Sequence, residues 1–75
     1  MGERGTPRLT AREVAAVLKS HGFVLVDQRG SHQKWKNDNT GKVVILAVRP
    51  ESTISLGTMR SIISSSGIPL EIWNR

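Results

Sequence analysis

The sequence predicts one small α+β domain in which a three-stranded antiparallel sheet packs on two helices, in the order helix, strand, strand, strand, helix. Three observations predict this class. Apolar residues recur at helical spacing near each end of the chain, and three runs of strand-forming residues lie between them, separated by turn residues. The chain has 75 residues, which suffices for a single small core but not for a second lobe with a deep cleft.

The first helix is predicted to begin after Thr10 and to end at Gly22. Thr10 and Glu13 have the spacing of a capping box, in which the hydroxyl and the carboxylate each satisfy a free backbone amide at the helix start. His21 lies at the end of the helix, where the helix dipole favours a cation, so we interpret it as a C-terminal helix residue rather than a catalyst. The residues at helical spacing on the apolar face are Val14, Val17, Leu18 and His21.

Three strands are predicted in the middle of the chain. Residues 23–26 and 42–48 are rich in strand-forming apolar residues, and residues 31–36 form the run between them. Arg29-Gly30 supplies the first turn, and residues 37–41, which read Asn-Asp-Asn-Thr-Gly, supply the second. Short turns of this kind join antiparallel neighbours, so the pattern predicts a meander.

The second helix is predicted between Ser55, a helix cap, and Gly67, a helix stop. Residues 70–73 are predicted to add one short apolar turn that packs back on the body of the domain. Residues 1–8 show no periodicity and are predicted to form a flexible lead-in, so the single domain comprises residues 9–75. The apolar residues of the second helix are Leu56, Met59, Ile62 and Ile63.

The composition excludes several kinds of site. No cysteine is present, so disulfides and thiolate zinc sites are excluded, and no other metal-ligand set is visible. We therefore expect neither a metal nor a cofactor. No apolar run approaches the roughly 20 residues of a membrane span, and the N-terminal residues lack the apolar segment of a signal peptide. We expect a cytoplasmic protein without membrane contact.

The positive charge is concentrated in the strand region. The chain carries 11 Lys and Arg residues against 6 Asp and Glu residues, which gives a net charge of +5. Between residues 29 and 49 the only acidic residue is Asp38, and the basic residues are Arg29, Lys34, Lys36, Lys42 and Arg49. A basic segment favours an anionic partner such as nucleic acid, although many solvated surfaces have the same charge.

The stretch Gly-Ser-His-Gln-Lys-Trp-Lys holds the candidate catalytic residue, His32. Side chains alternate along a strand, so Lys34 and Lys36 share a face with His32 if Trp35 turns toward the helices. A bulge near Gly30 would reverse this arrangement. Histidine exchanges protons near neutral pH and lysines hold phosphate oxygens, while RNA supplies its own 2′-hydroxyl nucleophile. The face therefore suits metal-independent RNA cleavage.

A simpler interpretation of the same face stays open. An exposed histidine on a basic strand is usually a solvated residue, and its neighbouring lysines can serve solubility or protect an edge strand. In that case the chain could be an RNA-binding module without chemistry, which holds phosphates through its basic residues.

The third predicted strand has apolar residues on both alternating faces. A sheet with one solvated face requires only one apolar face, so residues 43–48 indicate that something covers the second. A protein partner or self-association to a homo-oligomer would do so. The alternatives are a central position in the sheet or shielding by residues 50–56.

Three segments of the chain occur in a characteristic order and spacing. Residues 18–23 read Leu-Lys-Ser-His-Gly-Phe, residues 28–35 read Gln-Arg-Gly-Ser-His-Gln-Lys-Trp, and residues 56–63 read Leu-Gly-Thr-Met-Arg-Ser-Ile-Ile. Together they resemble the HicA toxins, also called the YcfA-like family of mRNA interferases. The resemblance implies a fold like a double-stranded-RNA-binding domain, a ribosome-independent mRNA endoribonuclease and a HicB-like antitoxin as partner. It also implies that His32 is the catalytic histidine.

The chain departs from this family after the third strand. Family members commonly carry a proline and then a second histidine there, whereas residues 47–51 read Ala-Val-Arg-Pro-Glu. Either the activity is reduced, or Arg49 supplies charge stabilisation in place of the histidine. The predicted contacts to mRNA are Arg29, Ser31, Lys34, Lys36, Lys42 and Arg49.

Overall fold

A computed structural model describes residues 5–49 and 52–74. The predicted order of elements is confirmed, with α1 (Ala11–Ser20), β1 (Phe23–Arg29), β2 (His32–Asn37), β3 (Val43–Ala47), α2 (Leu56–Ser66) and α3 (Leu70–Trp73). The strand order is β1-β2-β3 and both pairs are antiparallel, so the predicted meander is also confirmed. Of the predicted flexible lead-in, residues 1–4 lie outside the described residues, and the flexibility of residues 5–8 stays a prediction.

Helix α1 begins with the predicted capping box. The Thr10 hydroxyl accepts a hydrogen bond from the Glu13 amide at 3.2 Å, and the Glu13 carboxylate accepts one from the Thr10 amide at 2.9 Å. At the other end His21 is the C-cap residue, and its Nδ1 lies 3.0 Å from the carbonyl oxygen of Val17. His21 therefore belongs to the helix end, in agreement with its predicted role.

Asn37 joins the end of α1 to the turn between β2 and β3. It is buried, and its Nδ2 donates a hydrogen bond to the His21 carbonyl at 3.0 Å. Its Oδ1 accepts hydrogen bonds from the amides of Asn39 and Thr40 at 2.8 and 3.2 Å. Asn37 was predicted to lie in the turn; it is instead the last residue of β2, and its side chain organises the turn that follows.

A single core lies between the helices and one face of the sheet. The sheet contributes Phe23, Trp35, Val44 and Leu46. The other buried apolar residues are Ala11, Val14, Leu18, Ile54, Met59, Ile62, Ile68 and Trp73. Burial of this apolar surface is the main stabilising contribution to such a small domain, since the chain has no cysteine with which to form a disulfide.

The segment between β3 and α2 is tied to the start of α1. The Ile54 amide donates a hydrogen bond to the Leu9 carbonyl at 2.8 Å, and Thr10 forms an isolated antiparallel bridge with Thr53. Ser55 then caps α2, as predicted. This connection holds the N-termini of the two long helices beside the end of β3.

The C-terminal part of the domain closes the core. Gly67 ends α2 in the left-handed conformation, at φ 71°, which glycine adopts without strain. The predicted short turn at residues 70–73 is the helix α3, and its Trp73 is buried, with Nε1 donating to the Ile68 carbonyl at 3.3 Å. No helix within residues 5–49 and 52–74 has the length and apolarity required to cross a lipid bilayer.

Candidate active site on the open face of the sheet

Strand β2 divides its side chains between two faces, as predicted. Trp35 and Asn37 are buried on the side of the helices, and Gln33 is partly buried there. Strand β2 pairs with β3 residue by residue, so no bulge interrupts this alternation along the β2–β3 ladder. The residues exposed on the opposite side, which we call the open face, are His32, Lys34 and Lys36.

Strand β3 adds apolar residues to the open face. Directly opposite residues in a ladder project to the same face, and the pairs are His32 with Ala47, Lys34 with Ile45, and Lys36 with Val43. Ile45 is 54% exposed and Val43 is 36% exposed. β3 lies at an edge of the sheet, so the alternative that it is a central strand is wrong. Val43 and Ile45 are exposed within the described part of the chain, and of the segment predicted as an alternative shield, residues 50–56, residues 50 and 51 lie outside the described residues.

A β-bulge in β1 brings two charged residues to the open face. Leu25 lies opposite a buried residue of β2, and strict alternation would send Asp27 to the helix side as well. The register shifts between Leu25 and Asp27, with the result that Asp27 lies opposite Lys34. Two residues further along β1, Arg29 lies opposite His32. The bulge is therefore the reason that both charged residues share a face with the histidine.

The open face has a charged end and an apolar end. His32 lies at the charged end, and Lys36 lies at the other end between two exposed valines. Read across the three strands, the rows are Arg29–His32–Ala47, Asp27–Lys34–Ile45 and Val24–Lys36–Val43. A negatively charged ligand is thus favoured along β2, over His32, Lys34 and Lys36, and apolar side chains lie on either side of Lys36.

A two-residue hairpin loop, Gly30-Ser31, sets the position of His32. Gly30 has a φ of 57°, which tight turns between antiparallel strands require at this position and which glycine adopts without strain. The Ser31 carbonyl accepts a hydrogen bond from the Val48 amide at 2.7 Å, so pairing with β3 extends beyond His32. The backbone of His32 is fixed on both sides while its imidazole is exposed to solvent.

A chain of hydrogen bonds on the helix side supports the same hairpin. The Trp35 indole donates to the Gln33 side chain at 3.1 Å, and the Gln33 amide group donates to the Gln28 side chain at 3.5 Å. The Gln28 amide group donates in turn to the Gly30 carbonyl at 3.2 Å. The sequence prediction did not assign a role to Gln28 or Gln33. Their positions on either side of the Gly30-Ser31 loop, where they pair across the hairpin, are the signal that could have indicated one.

Asp27 is held close to Arg29 on the edge strand. Its Oδ1 accepts a hydrogen bond from the backbone amide of Gln28 at 2.9 Å, and its Oδ2 lies 3.4 Å from Arg29 Nε. The Arg29 and Asp27 side chains are 88% and 51% exposed, so this ion pair contributes little to stability. The predicted first strand ended at residue 26, and Asp27 was missed because only the register of β1 on β2 reveals its face.

Lys42 lies apart from the other predicted RNA-binding residues. It precedes β3 at the end of the sheet opposite His32, since Val43 pairs with Lys36. Its aliphatic chain packs at the end of α2, where a Cβ atom on Gly67 would lie 2.7 Å from Lys42 Cε. The fold therefore does not bring Lys42 to the histidine, whereas Ser31 lies in the loop directly before it.

Arg49 follows β3 at the same end of the sheet as His32. It lines a concave pocket together with Ala47, the open-face partner of His32. The pocket continues to the segment before α2 and to the first turn of that helix, through Ser52, Thr53, Ser55 and Thr58. Arg49 thus contributes a positive charge near the charged end of the open face, and its contact with RNA stays a prediction.

The open face offers proton transfer beside fixed positive charges. An imidazole and a carboxylate can each accept or release a proton, and guanidinium and ammonium groups stabilise negative charge next to them. Within the described parts of the chain, no three His, Cys, Asp or Glu side chains come together in a cluster that could hold a metal ion.

Comparison with protein families identifies the chain. The family model described as "HicA toxin of bacterial toxin-antitoxin" matches residues 11–68. The matched segment extends from the first residue of α1 to just beyond α2 and includes every residue of the open face. A comparison with curated proteins gave no match. Because the family model covers well over half of the chain, the chain belongs to the HicA toxin family of bacterial toxin-antitoxin systems.

Proposed function

We propose that this chain is the toxin of a HicAB-type type II system and acts as a ribosome-independent mRNA endoribonuclease. The observation that carries the proposal is the environment of His32, whose exposed imidazole shares the open face with Arg29 and Lys34. Membership of a toxin family supports it. An mRNA substrate implies action in the cytoplasm.

The proposed reaction uses the nucleophile that RNA already carries. Removal of the proton from a 2′-hydroxyl lets O2′ attack the adjacent phosphorus, and the P–O5′ bond breaks as O5′ takes up a proton. The products are a 2′,3′-cyclic phosphate and a 5′-hydroxyl. His32 transfers one of the two protons, and Lys34 or Lys36 stabilises the additional negative charge on the phosphate oxygens in the transition state.

We propose that basic residues around His32 hold the RNA backbone. Arg29 lies opposite His32 and Ser31 directly precedes it, so both can contact the phosphates next to the cleaved bond. Arg49 contributes charge from the adjoining pocket, in place of the second histidine that family members commonly carry. Lys42 lies farthest from His32 and would contact a more distant phosphate.

A toxin of a toxin-antitoxin system has an antitoxin as its partner, and we propose that a HicB-like antitoxin covers the open face. The apolar residues Val24, Val43 and Ile45 are exposed on β1 and β3, beside the basic residues of β2. A partner with apolar and acidic groups would complement this mixed surface. Self-association through the same face is the competing arrangement, and light scattering that reports a concentration-independent monomer would argue against it.

The proposed chemistry predicts that His32→Ala abolishes RNA cleavage while the protein stays folded. An exposed side chain contributes little to stability, so only the proton transfer is lost. The measurement is incubation of both proteins with a long single-stranded RNA in the presence of a chelator, followed by gel electrophoresis. His21→Ala is the matched control, because His21 is also exposed but lies at the end of α1, and it should cleave normally. Cleavage by folded His32→Ala protein at the parental rate would contradict the assignment.

A second candidate function is RNA binding without chemistry. The absence of the second histidine that family members commonly carry after the third strand favours this candidate, because residues 47–51 read Ala-Val-Arg-Pro-Glu and supply no imidazole there. It predicts binding that weakens steeply with salt, as phosphate contacts release counterions, and no strand scission at any protein concentration. Discrete cleavage products that depend on His32 would exclude it.

A further inference from the structure

We propose that Asp27 is the second proton-transfer group of this site and acts as the general base opposite His32, the general acid. This inference rests on the proposed function, which requires two proton transfers on opposite sides of one phosphorus atom. One proton leaves O2′ and another reaches O5′. A single imidazole cannot serve both positions at once, so in-line cleavage with acid and base catalysis requires a partner group.

The bulge in β1 brings Asp27 within range of the same phosphate as His32. Asp27 lies opposite Lys34, and His32 lies opposite Arg29, so Asp27 and His32 are diagonal neighbours on the open face. Such neighbours are separated by about 7–8 Å between backbone positions. Their side chains can therefore approach the two sides of a phosphate held between them, with Lys34 next to both.

The groups that face Asp27 favour this role. From its own strand Arg29 approaches to 3.4 Å, and from β2 the neighbours are Lys34 and His32. The positive charges of Arg29 and Lys34 would also attract the phosphate. Asp27 is half-exposed, so the RNA can reach it, and its Oδ1 is oriented by the hydrogen bond from the Gln28 amide. Among the described residues, the open face carries one carboxylate, that of Asp27, and one imidazole, that of His32.

The step balances with these two groups alone. The Asp27 carboxylate takes the proton from O2′ as the O2′–P bond forms. The P–O5′ bond then breaks, and the His32 imidazolium gives its proton to O5′. Asp27 ends neutral and His32 ends as neutral imidazole, and exchange of one proton with solvent at each group restores the starting state.

The test compares Asp27→Asn with Asp38→Asn. Asparagine keeps the size of Asp27 and an oxygen that can accept the Gln28 hydrogen bond, but it cannot take up a proton. Asp38 lies in the exposed turn after β2, so Asp38→Asn makes the same change in charge at the other end of the sheet. Single-turnover cleavage at saturating RNA, RNA affinity and thermal unfolding are measured for both variants.

We expect Asp27→Asn to cleave at least ~100-fold more slowly than the parent at saturating RNA, the usual effect of losing a general base. Its RNA affinity should be equal or higher, because a negative charge is removed from a basic face. Asp38→Asn should cleave at the parental rate. Asp27→Glu, which keeps the carboxylate, should retain more activity than Asp27→Asn.

The pH profile provides a readout that a purely structural role would not change. The base must be deprotonated and the acid protonated, so the parental rate should rise and then fall with increasing pH. Asp27→Asn should lose the rising limb and keep the falling limb. Cleavage by Asp27→Asn within threefold of the parental rate, with the parental pH profile, would overturn the role of Asp27 alone. If the parent itself does not cleave RNA, the proposed function fails as well.

Discussion

Trp35 and Lys34 are neighbours in the sequence, yet Trp35 is 3% exposed in the core and Lys34 is exposed on the open face. The same contrast holds on β3 between Leu46, which is 1% exposed, and Ile45, which is 54% exposed. One face of the sheet is constrained by packing against the helices. The other face is free of that constraint and carries the charged and apolar groups from which we infer function.

Within one strand, the residues that determine stability therefore differ from the residues that determine activity. A residue on the helix side affects the free energy of unfolding because its replacement leaves a cavity in a close-packed core. A residue on the open face loses little packing when it is replaced, so its effect appears in RNA cleavage or partner binding. The alternation of side chains therefore lets adjacent substitutions distinguish the two roles.

The largest expected effect is that of Trp35→Ala. Removal of a buried aromatic ring from a core costs about 3–5 kcal/mol of unfolding free energy, a large part of the total stability of a small domain. The loss also removes the hydrogen bond between the Trp35 indole and Gln33. Urea denaturation followed by circular dichroism measures it. Lys34→Ala is the control at the adjacent position. An equal loss of unfolding free energy in both variants would contradict the proposed difference between the two faces of the sheet.

The second prediction uses the pair Leu46 and Ile45. Leu46→Ala should lower the unfolding free energy by about 2–5 kcal/mol, whereas Ile45→Ala should change it by less than about 0.5 kcal/mol. Ile45→Ala should instead weaken binding of the cognate antitoxin, by about tenfold if Ile45 is an interface anchor worth roughly 1.4 kcal/mol. Calorimetric titration with the antitoxin measures this effect. Unchanged antitoxin affinity in Ile45→Ala would argue against the open face as the docking surface.

The smallest expected effect is that of Lys34→Gln on the salt dependence of RNA binding. Loss of one phosphate contact should reduce the slope of log affinity against log salt concentration by about 0.7 for single-stranded RNA. Fluorescence anisotropy over a salt series measures it. Arg12→Gln removes a positive charge from the exposed side of α1 and should leave the slope unchanged. Equal slopes for the parent and Lys34→Gln would show that Lys34 does not contact a phosphate.

Local signals in the sequence were sufficient for the helices and for the two faces of β2. Thr10 and Glu13 define the start of α1, and Gly67 defines the end of α2, because caps depend on residues close in sequence. The face of His32 followed from the burial of Trp35 alone. The alternation of β2 held because the bulge lies in β1, between Leu25 and Asp27, rather than near the loop that precedes His32.

The features of the candidate site that were not predicted from the sequence depend on contacts between residues distant in sequence. Asp27 reached the open face through the register of β1 on β2, and a register depends on the partner strand as much as on the strand itself. Lys42 stays a predicted RNA contact, but its distance from His32 was not foreseen, and its aliphatic chain packs beside Gly67, which lies 25 residues further along the chain. Neither relation has a local pattern in the sequence.

The two ends of the β1–β2 hairpin differ in how freely they can move. At one end Asn37 holds the last residue of β2, the following turn and the end of α1 in one hydrogen-bonded unit. Asn37 and Ser66 are the buried polar residues among those described, and neither lies at the His32 end. At the His32 end the Gly30 carbonyl accepts an exposed hydrogen bond from the Gln28 side chain, whereas the hydrogen bonds of the Asn37 side chain are partly buried, so local opening of the hairpin should begin at the Gly30-Ser31 loop. Such opening would move His32 relative to the rest of the open face, while the Asn37 end keeps the strands in register.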